Sequence, residues 1–221
     1  HCLPTYLDYN SIANKFHLSF MKIFLATKNQ DKIKEFKQIL SNLKVDLVTC
    51  HDIDIPDVEE TGRTFVENAI LKARSAAYIT RLPSIADDSG IEVDFLKGKP
   101  GVKSARYASE NATNKENNIK LLDELKDVPL ENRGACYRCV IVFMRFIDDP
   151  FPFISNGTWR GRIHDREVGL NGFGYDPIFF LPHLNVTSAE LESNDKHQIS
   201  HRGKALIEFS NFFKEYVNEN K

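Results

Sequence analysis

The stretch Ile85-Ala86-Asp87-Asp88-Ser89-Gly90 ends a short apolar run on two adjacent carboxylates. An apolar run that stops on acids reads as a buried strand delivering charge to the mouth of a site. It reads equally as a strand followed by a polar turn, because Asp, Ser and Gly are ordinary turn formers. Neighbouring carboxylates repel, so keeping both ionised calls for a cation or a shared proton. The segments on either side decide between these readings.

Upstream, residues 23–26 read as a short buried strand, and Ile33, Phe36, Ile39 and Leu40 then recur at helical spacing. Residues 45–48 form a second strand, and an acidic loop over 52–60 follows it. Thr64 and Glu67 have capping-box spacing, which starts a long helix running to about residue 79. The strand that carries the acids spans residues 84–87. Downstream, Thr113 and Glu116 form a second capping box for a helix ending near residue 126. Residues 135–146 and 153–162 are apolar and β-branched enough to pair as a hairpin around Asp148-Asp149-Pro150. A glycine- and aromatic-rich stretch over 169–180, a polar loop and a closing helix over 202–216 complete the chain. Strand–helix units mixed with a hairpin predict an α/β fold on a mixed sheet. No repeat, low-complexity tract or linker divides it.

The chain has 221 residues, enough for one sizeable domain or two tightly joined lobes. A formal charge of −2 argues against a nucleic-acid binder that works by bulk phosphate neutralisation, and leaves room for a local pocket for a small polyanion. No apolar run is long enough to span a membrane. Four cysteines are too few for a disulfide scaffold of this length, and Cys136 and Cys139 lie in a strand-like segment as packing residues. A reduced, cytoplasmic setting follows. The first methionine is Met21, and residues 1–20 have no continuous apolar core for a signal peptide. They read as translated upstream sequence or a cloning remnant, or as a genuine N-terminal extension, with the domain itself over 21–221.

Asn29 and Lys32 fall near a helix N-terminus, where free N–H groups, the helix dipole and a lysine suit a phosphate; Asn29 as an ordinary cap and Lys32 in solvent is the plain alternative. Lys72 sits in an Ala-rich helical stretch and reads as solvated by default. Glu59 and Glu60 precede Thr61-Gly62 and can add a carboxylate to those of the Asp-Asp pair for a divalent cation. Oxygen ligands from separate segments, with lysines beside them, suit magnesium, which keeps several waters and bridges carboxylates to phosphates. The seven histidines lack zinc-ligand spacing. In Gly172-Phe173-Gly174-Tyr175-Asp176-Pro177, rings could stack on a planar base and Asp176 could accept base N–H bonds, or the rings could belong to the core.

Six motifs occur in order: Ala26-Thr27-Lys28-Asn29-x-x-Lys32, Glu59-Glu60-Thr61-Gly62-x-Thr64-Phe65-x-Glu67-Asn68-Ala69-x-x-Lys72-Ala73, Ala86-Asp87-Asp88-Ser89-Gly90, Pro100-Gly101-x-x-Ser104-Ala105-Arg106-Tyr107, Gly172-Phe173-Gly174-Tyr175-Asp176-Pro177-x-Phe179 and Ser200-His201-Arg202-Gly203. Together they resemble the inosine triphosphate pyrophosphatase family, in its bacterial dITP/XTP branch, from about Met21 to the last helix. The resemblance implies an elongated two-lobed α/β fold with a central mixed sheet and a nucleotide cleft between the lobes. It implies a homodimeric, Mg²⁺-dependent enzyme that cleaves dITP, ITP and XTP to the monophosphate and pyrophosphate. By position, Thr27, Lys28, Asn29, Gln30, Asp31, Lys32 and Lys72 would hold the triphosphate. Asp88 would be the proton acceptor and a metal ligand, and Glu60 a second metal ligand. Ser89, Phe173, Gly174, Tyr175, Asp176, Lys196, His201 and Arg202 would hold the nucleotide and its base. Lys28 stands where many relatives have Gly. Competing readings are a pyrophosphatase for other nucleotides, a nucleotide-binding sensor without turnover, and a structural protein.

Overall fold

The computed structural model describes residues 20–219, so the leader reading of residues 1–20 lies outside it apart from Phe20. The elements are β1 (Met21–Leu25), α1 (Gln30–Leu40), β2 (Val45–Thr49), α2 (Phe65–Thr80), β3 (Ser84–Val93), α3 (Asn114–Glu124), β4 (Gly134–Met144), β5 (Phe153–Ile163), β6 (Phe179–Leu181), β7 (Val186–Thr187), α4 (Ser193–Ile199) and α5 (His201–Glu219). The strands form one seven-stranded sheet in the order β2-β1-β3-β4-β5-β6-β7. β1 runs parallel to β2 and β3, and the pairs from β3 to β7 are antiparallel, as the mix of helical units and a hairpin predicts.

Local signals start the helices where expected. Asn29 Oδ1 accepts the N–H groups of Asp31 and Lys32 at the head of α1, and complete capping boxes open α2 at Thr64 and α3 at Thr113. α1 and α5 cover one face of the sheet, where Ile23, Leu25, Phe36, Ile85, Phe209 and Phe213 pack together. α2 covers the other with Ala69 and Ala73 against Ala86 and Val142. Cys136 and Cys139 are buried free thiols within β4, consistent with packing roles.

Two expectations need correction. The acids do not end their strand, since β3 continues unbroken to Val93 and pairs residue for residue with β4, Asp87 against Ile141 and Asp88 against Val140. The polar stretch before the last helix contains α4, a short helix whose sequence Ser-Asn-Asp-Lys-His-Gln-Ile offers little apolar periodicity and no side-chain cap.

The length of β3 creates the site. β1 meets it only at Phe24↔Ser84 and Leu25↔Ile85, with a last bond from Ala26 N–H to the Ile85 carbonyl at 2.8 Å. Over Asp87–Ser89 the strand has β4 on one side and no sheet strand on the other. The chain leaving β1 turns there into residues 27–29 and the N-terminus of α1. A parallel strand that stops beside one that continues leaves a crevice at its carboxyl end, the place where open α/β sheets bind ligands.

A candidate active site on both faces of one strand

Side chains alternate across a strand, so consecutive acids point to opposite faces. Asp87 faces the α1/α5 side with Ile85, and Asp88 faces α2 with Ala86. The two carboxylates therefore take their nearest cations from opposite sides of the strand. Asp87 Oδ2 lies 2.6 Å from Lys32 Nζ and 3.6 Å from Arg202 Nη2. Asp88 Oδ1 accepts from Lys72 Nζ at 3.0 Å, and the same ammonium donates to Glu60 Oε1 at 2.7 Å. Asn68 Nδ2 donates to Asp88 Oδ2 at 3.4 Å. Lys72 is thus a half-buried counterion to two carboxylates and not a solvated lysine, and Glu60, rather than exposed Glu59, joins the cluster.

The electrostatics follow from these partners. Burial alone would raise the Asp87 carboxyl, but the Lys32, Arg202 and Lys72 charges outweigh it and bring its pKa down to about 2. Burial raises the Asp88 carboxyl above its ordinary value; Lys72 opposes this, and the Glu60 charge reinforces it. Burial works against the Lys72 ammonium, yet Asp88, Asp87 and Glu60 together raise its pKa. The strand thus presents one strongly acidic and one more basic carboxylate, the kind of separation that assigns different roles to neighbouring acids.

Position 90 has room only for glycine, because a Cβ there would lie 2.4 Å from Ser104 Oγ and 2.6 Å from the Gly101 carbonyl oxygen. Beyond it opens a cleft of about 230 Å³ lined in part by Asn29, Lys32, Ser89, Phe173, Tyr175, Lys196, His201 and Arg202. Arg202 Nη2 donates to Ser89 Oγ at 3.0 Å, its Nε lies 3.4 Å from Glu35 Oε2, and its Cζ sits 5.7 Å from the centroid of the Phe173 ring. Lys196 Nζ approaches the same ring at 5.3 Å and pairs with Asp176. Phe173 is half-buried, with two cations at its ring.

The other members of the aromatic loop hold it in place. Tyr175 is buried and its hydroxyl donates to the Ser104 carbonyl at 2.7 Å. Asp176 accepts from Ser188 Oγ at 2.9 Å and from the Phe173 N–H at 2.8 Å, so protein donors engage the oxygens that could have met a base. Gly172, at φ +75°, leaves room for that acid, because a Cβ would fall 2.1 Å from Asp176 Oδ2. His201 is buried with its ring stacked on Tyr137 at 4.5 Å and an interplanar angle of 5°. Burial, then the Arg202 and Lys196 charges, keep its imidazole well below its ordinary pKa and hence neutral.

A second cleft begins at Lys32, which borders both, and is lined by Thr27, Lys28, Lys32, Asp57, Glu60, Lys72, Asp87 and Arg106 among others. Lys28 is exposed and pairs with Asp57 at 2.8 Å. Gln30 pairs with His51, and Asp31 pairs with Lys34 and borders a hollow beside the first cleft that Glu35, Phe173 and Lys196 also line. Among the described residues, no three His, Cys, Asp or Glu side chains gather as a metal cage. Glu60 and Asp88 nevertheless aim one oxygen each at a single point now held by a cation, Lys72 Nζ. Two hard carboxylate oxygens around one cationic position fit a magnesium ion that takes its remaining ligands from water and phosphate.

The structure also brings in residues that the sequence reading passed over. These are Asp87 and Arg106, which the motifs contain without a role of their own, and Glu35, which lies within α1. The period-2 alternation of a longer strand would have placed Asp87 opposite Asp88.

A sequence model of the Ham1 family matches residues 23–212. A dITP/XTP pyrophosphatase from Vibrio cholerae is 54% identical over 185 residues, covering 84% of this chain and 92% of that protein. A dITP/XTP pyrophosphatase from Escherichia coli K12 is 51% identical over 185 residues, covering 84% of this chain and 94% of that protein. Among solved structures, a HAM1 protein from Coxiella burnetii matches with a TM-score of 0.85 at 45% identity, covering 88% of this chain and 99% of that one. The Ham1 protein of Staphylococcus aureus matches with a TM-score of 0.80 at 43% identity, covering 88% of this chain and 99% of that one. The paired clefts on β3 and the match along nearly the whole described chain agree: the protein belongs to the Ham1 family.

Proposed function

We propose that this protein hydrolyses non-standard purine nucleoside triphosphates, dITP, ITP and XTP, to the monophosphate and pyrophosphate, removing deaminated purines from the nucleotide pool. The observation that carries the reading is that Lys32 borders two clefts of different chemistry. The first has an aromatic ring, hydroxyls and neutral His201, suited to a base and sugar. The second has lysines and carboxylates, suited to a triphosphate. The relatives named dITP/XTP pyrophosphatases support the choice of substrate.

In this account the phosphates lie over the N-terminus of α1, where N–H groups, the helix dipole and Lys32 favour negative charge. Asp88 orients a water and takes its proton as the oxygen attacks the α-phosphorus. Lys32 and Lys72 stabilise charge on the departing pyrophosphate. Glu60 and Asp88 would hold a magnesium ion, which when bound neutralises phosphate charge and activates water. Position and electrostatics supply most of the acceleration, as in phosphoryl transfer generally. The proposed working form is a homodimer in the cytoplasm, on the strength of the sequence resemblance. Among the described residues no helix is long and apolar enough to cross a membrane.

Selectivity would arise at the base end. Hypoxanthine and xanthine carry a 6-oxo acceptor where adenine has an amino group, and an amino group facing the donors of Lys196, His201 or Arg202 leaves a buried donor unpaired. Pyrophosphate release with Mg²⁺ should be followed in parallel from dITP, XTP, dGTP, dATP and dTTP. The expected kcat/KM for dITP and XTP exceeds that for dATP by about 100-fold or more. Equal turnover across the panel would overturn the selectivity, and dITP binding without turnover would favour a sensor.

A further inference from the structure

The segment Gly101–Arg106 is a 3₁₀ turn that the roles above leave without a task. It is held with unusual thoroughness. The carbonyls of Ser104, Ala105 and Tyr107 are each bonded by a side chain from elsewhere: Tyr175 Oη at 2.7 Å, Asn117 Nδ2 at 3.0 Å and Lys120 Nζ at 2.7 Å. Ser104 Oγ donates to the Gly101 carbonyl at 2.6 Å and accepts the Ile91 N–H at 2.9 Å, which ties the turn to β3. Asn117 Oδ1 accepts the Ala108 N–H at 2.8 Å. The backbone on both sides of Arg106 is therefore fixed to the strand that carries Asp87 and Asp88 and to the aromatic loop of the first cleft.

The side chain projecting from this platform lines the second cleft. Each lysine there has a carboxylate at close range: Lys28 with Asp57 at 2.8 Å, Lys32 with Asp87 at 2.6 Å, and Lys72 with Glu60 at 2.7 Å. Arg106 differs. Among the described residues its nearest carboxylate oxygens are Glu60 Oε2 at 3.9 Å and Glu110 Oε2 at 4.0 Å, both beyond hydrogen-bond range. A guanidinium has five donors in a planar fork that fits two phosphate oxygens at once. Here the fork is two-thirds buried, anchored through its backbone and without a close internal acceptor.

We propose that Arg106 is a further triphosphate-binding residue, whose fork grips the β- and γ-phosphates and holds the pyrophosphate as it leaves. The inference rests on the pyrophosphatase reading above. In that reaction water oxygen bonds to the α-phosphorus, its proton passes to Asp88, and the bond from the α-phosphorus to the bridging oxygen breaks. The electron pair stays on the pyrophosphate, which Arg106 meets with charge and two N–H bonds.

The test compares Arg106→Ala, Arg106→Lys and, as a control on the same turn, exposed Lys103→Ala, with product inhibition by pyrophosphate and by dIMP measured separately. Arg106→Ala should raise the inhibition constant of pyrophosphate about 10- to 100-fold, the span of one or two charge-assisted hydrogen bonds, and leave that of dIMP within about twofold. Arg106→Lys, which keeps the charge and loses the fork, should fall between, and Lys103→Ala should match wild type. Unchanged pyrophosphate inhibition in Arg106→Ala would overturn the assignment, as would an equal loss for both products, the mark of a structural defect. Calorimetry of pyrophosphate with Mg²⁺ reads the contact without turnover, so a wild type inactive on dITP would defeat the functional reading while this comparison still decided the role of Arg106.

Discussion

Asp88→Asn is expected to lower kcat for dITP by about 10²- to 10⁴-fold, the contribution of one positioned general base. The substitution keeps size and shape, so packing against Asn68 and α2 survives. It removes one negative charge from a cluster that also holds Glu60 and Asp87, and Lys72 keeps its bond to Glu60. The melting temperature should therefore change far less than turnover. The wild-type pH profile gives a second sign. The base must be ionised to work, so activity should fall on acidification as Asp88 takes up a proton. Near-normal turnover by Asp88→Asn would remove this residue from the chemistry.

Asp87→Ala should act on stability first. Asp87 is 2% exposed and faces Lys32 and Arg202, the latter itself 4% exposed. Removing one partner of a buried ion cluster leaves uncompensated charge, at a cost of about 3–5 kcal/mol. For a chain of this size each kcal/mol moves Tm by roughly 2–4 °C, so a fall of about 6–20 °C is expected. The pH dependence carries a definite sign. The carboxyl titrates at about 2 in the folded protein against an ordinary 3.8, so its ionised form stabilises the fold fully above pH 3.8 and progressively less as pH falls toward 2. The Tm gap between wild type and Asp87→Ala should narrow across that window. Thermal melts at pH 7 and along the acid limb check both statements; a variant as stable as wild type at pH 7 would show that Lys32 and Arg202 find other partners or tolerate solitude.

These two acids also show what the sequence could and could not disclose. Thr64 with Glu67 and Thr113 with Glu116 were legible because a capping box is a local device, complete within four residues. The mixed sheet was legible from the alternation of helical units and a hairpin. The continuation of β3 through Asp-Asp-Ser-Gly was not, because those residues favour turns in isolation and are held extended by β4 and by cations from three helices. Ending the strand early hid the opposite facing of Asp87 and Asp88, and with it the role of Asp87 as the counterion of Lys32 and Arg202. Lys72 read as solvated because its partners lie 12 and 16 residues away in the chain, on a loop and a strand that only folding brings to α2. For the same reason Arg106 carried no visible charge role.

The resemblance in six ordered motifs named the family correctly and placed most candidate residues around the two clefts. Gln30 lines neither of the two clefts and pairs with His51, while Asp31 borders the hollow next to the first.

The most direct test of the account is the fate of water oxygen during turnover of dITP in H₂¹⁸O, read by mass spectrometry of the products. Attack at the α-phosphorus predicts one ¹⁸O in dIMP, none in pyrophosphate, and the two products in equal amounts. Label in pyrophosphate, or release of orthophosphate with dIDP, would contradict it.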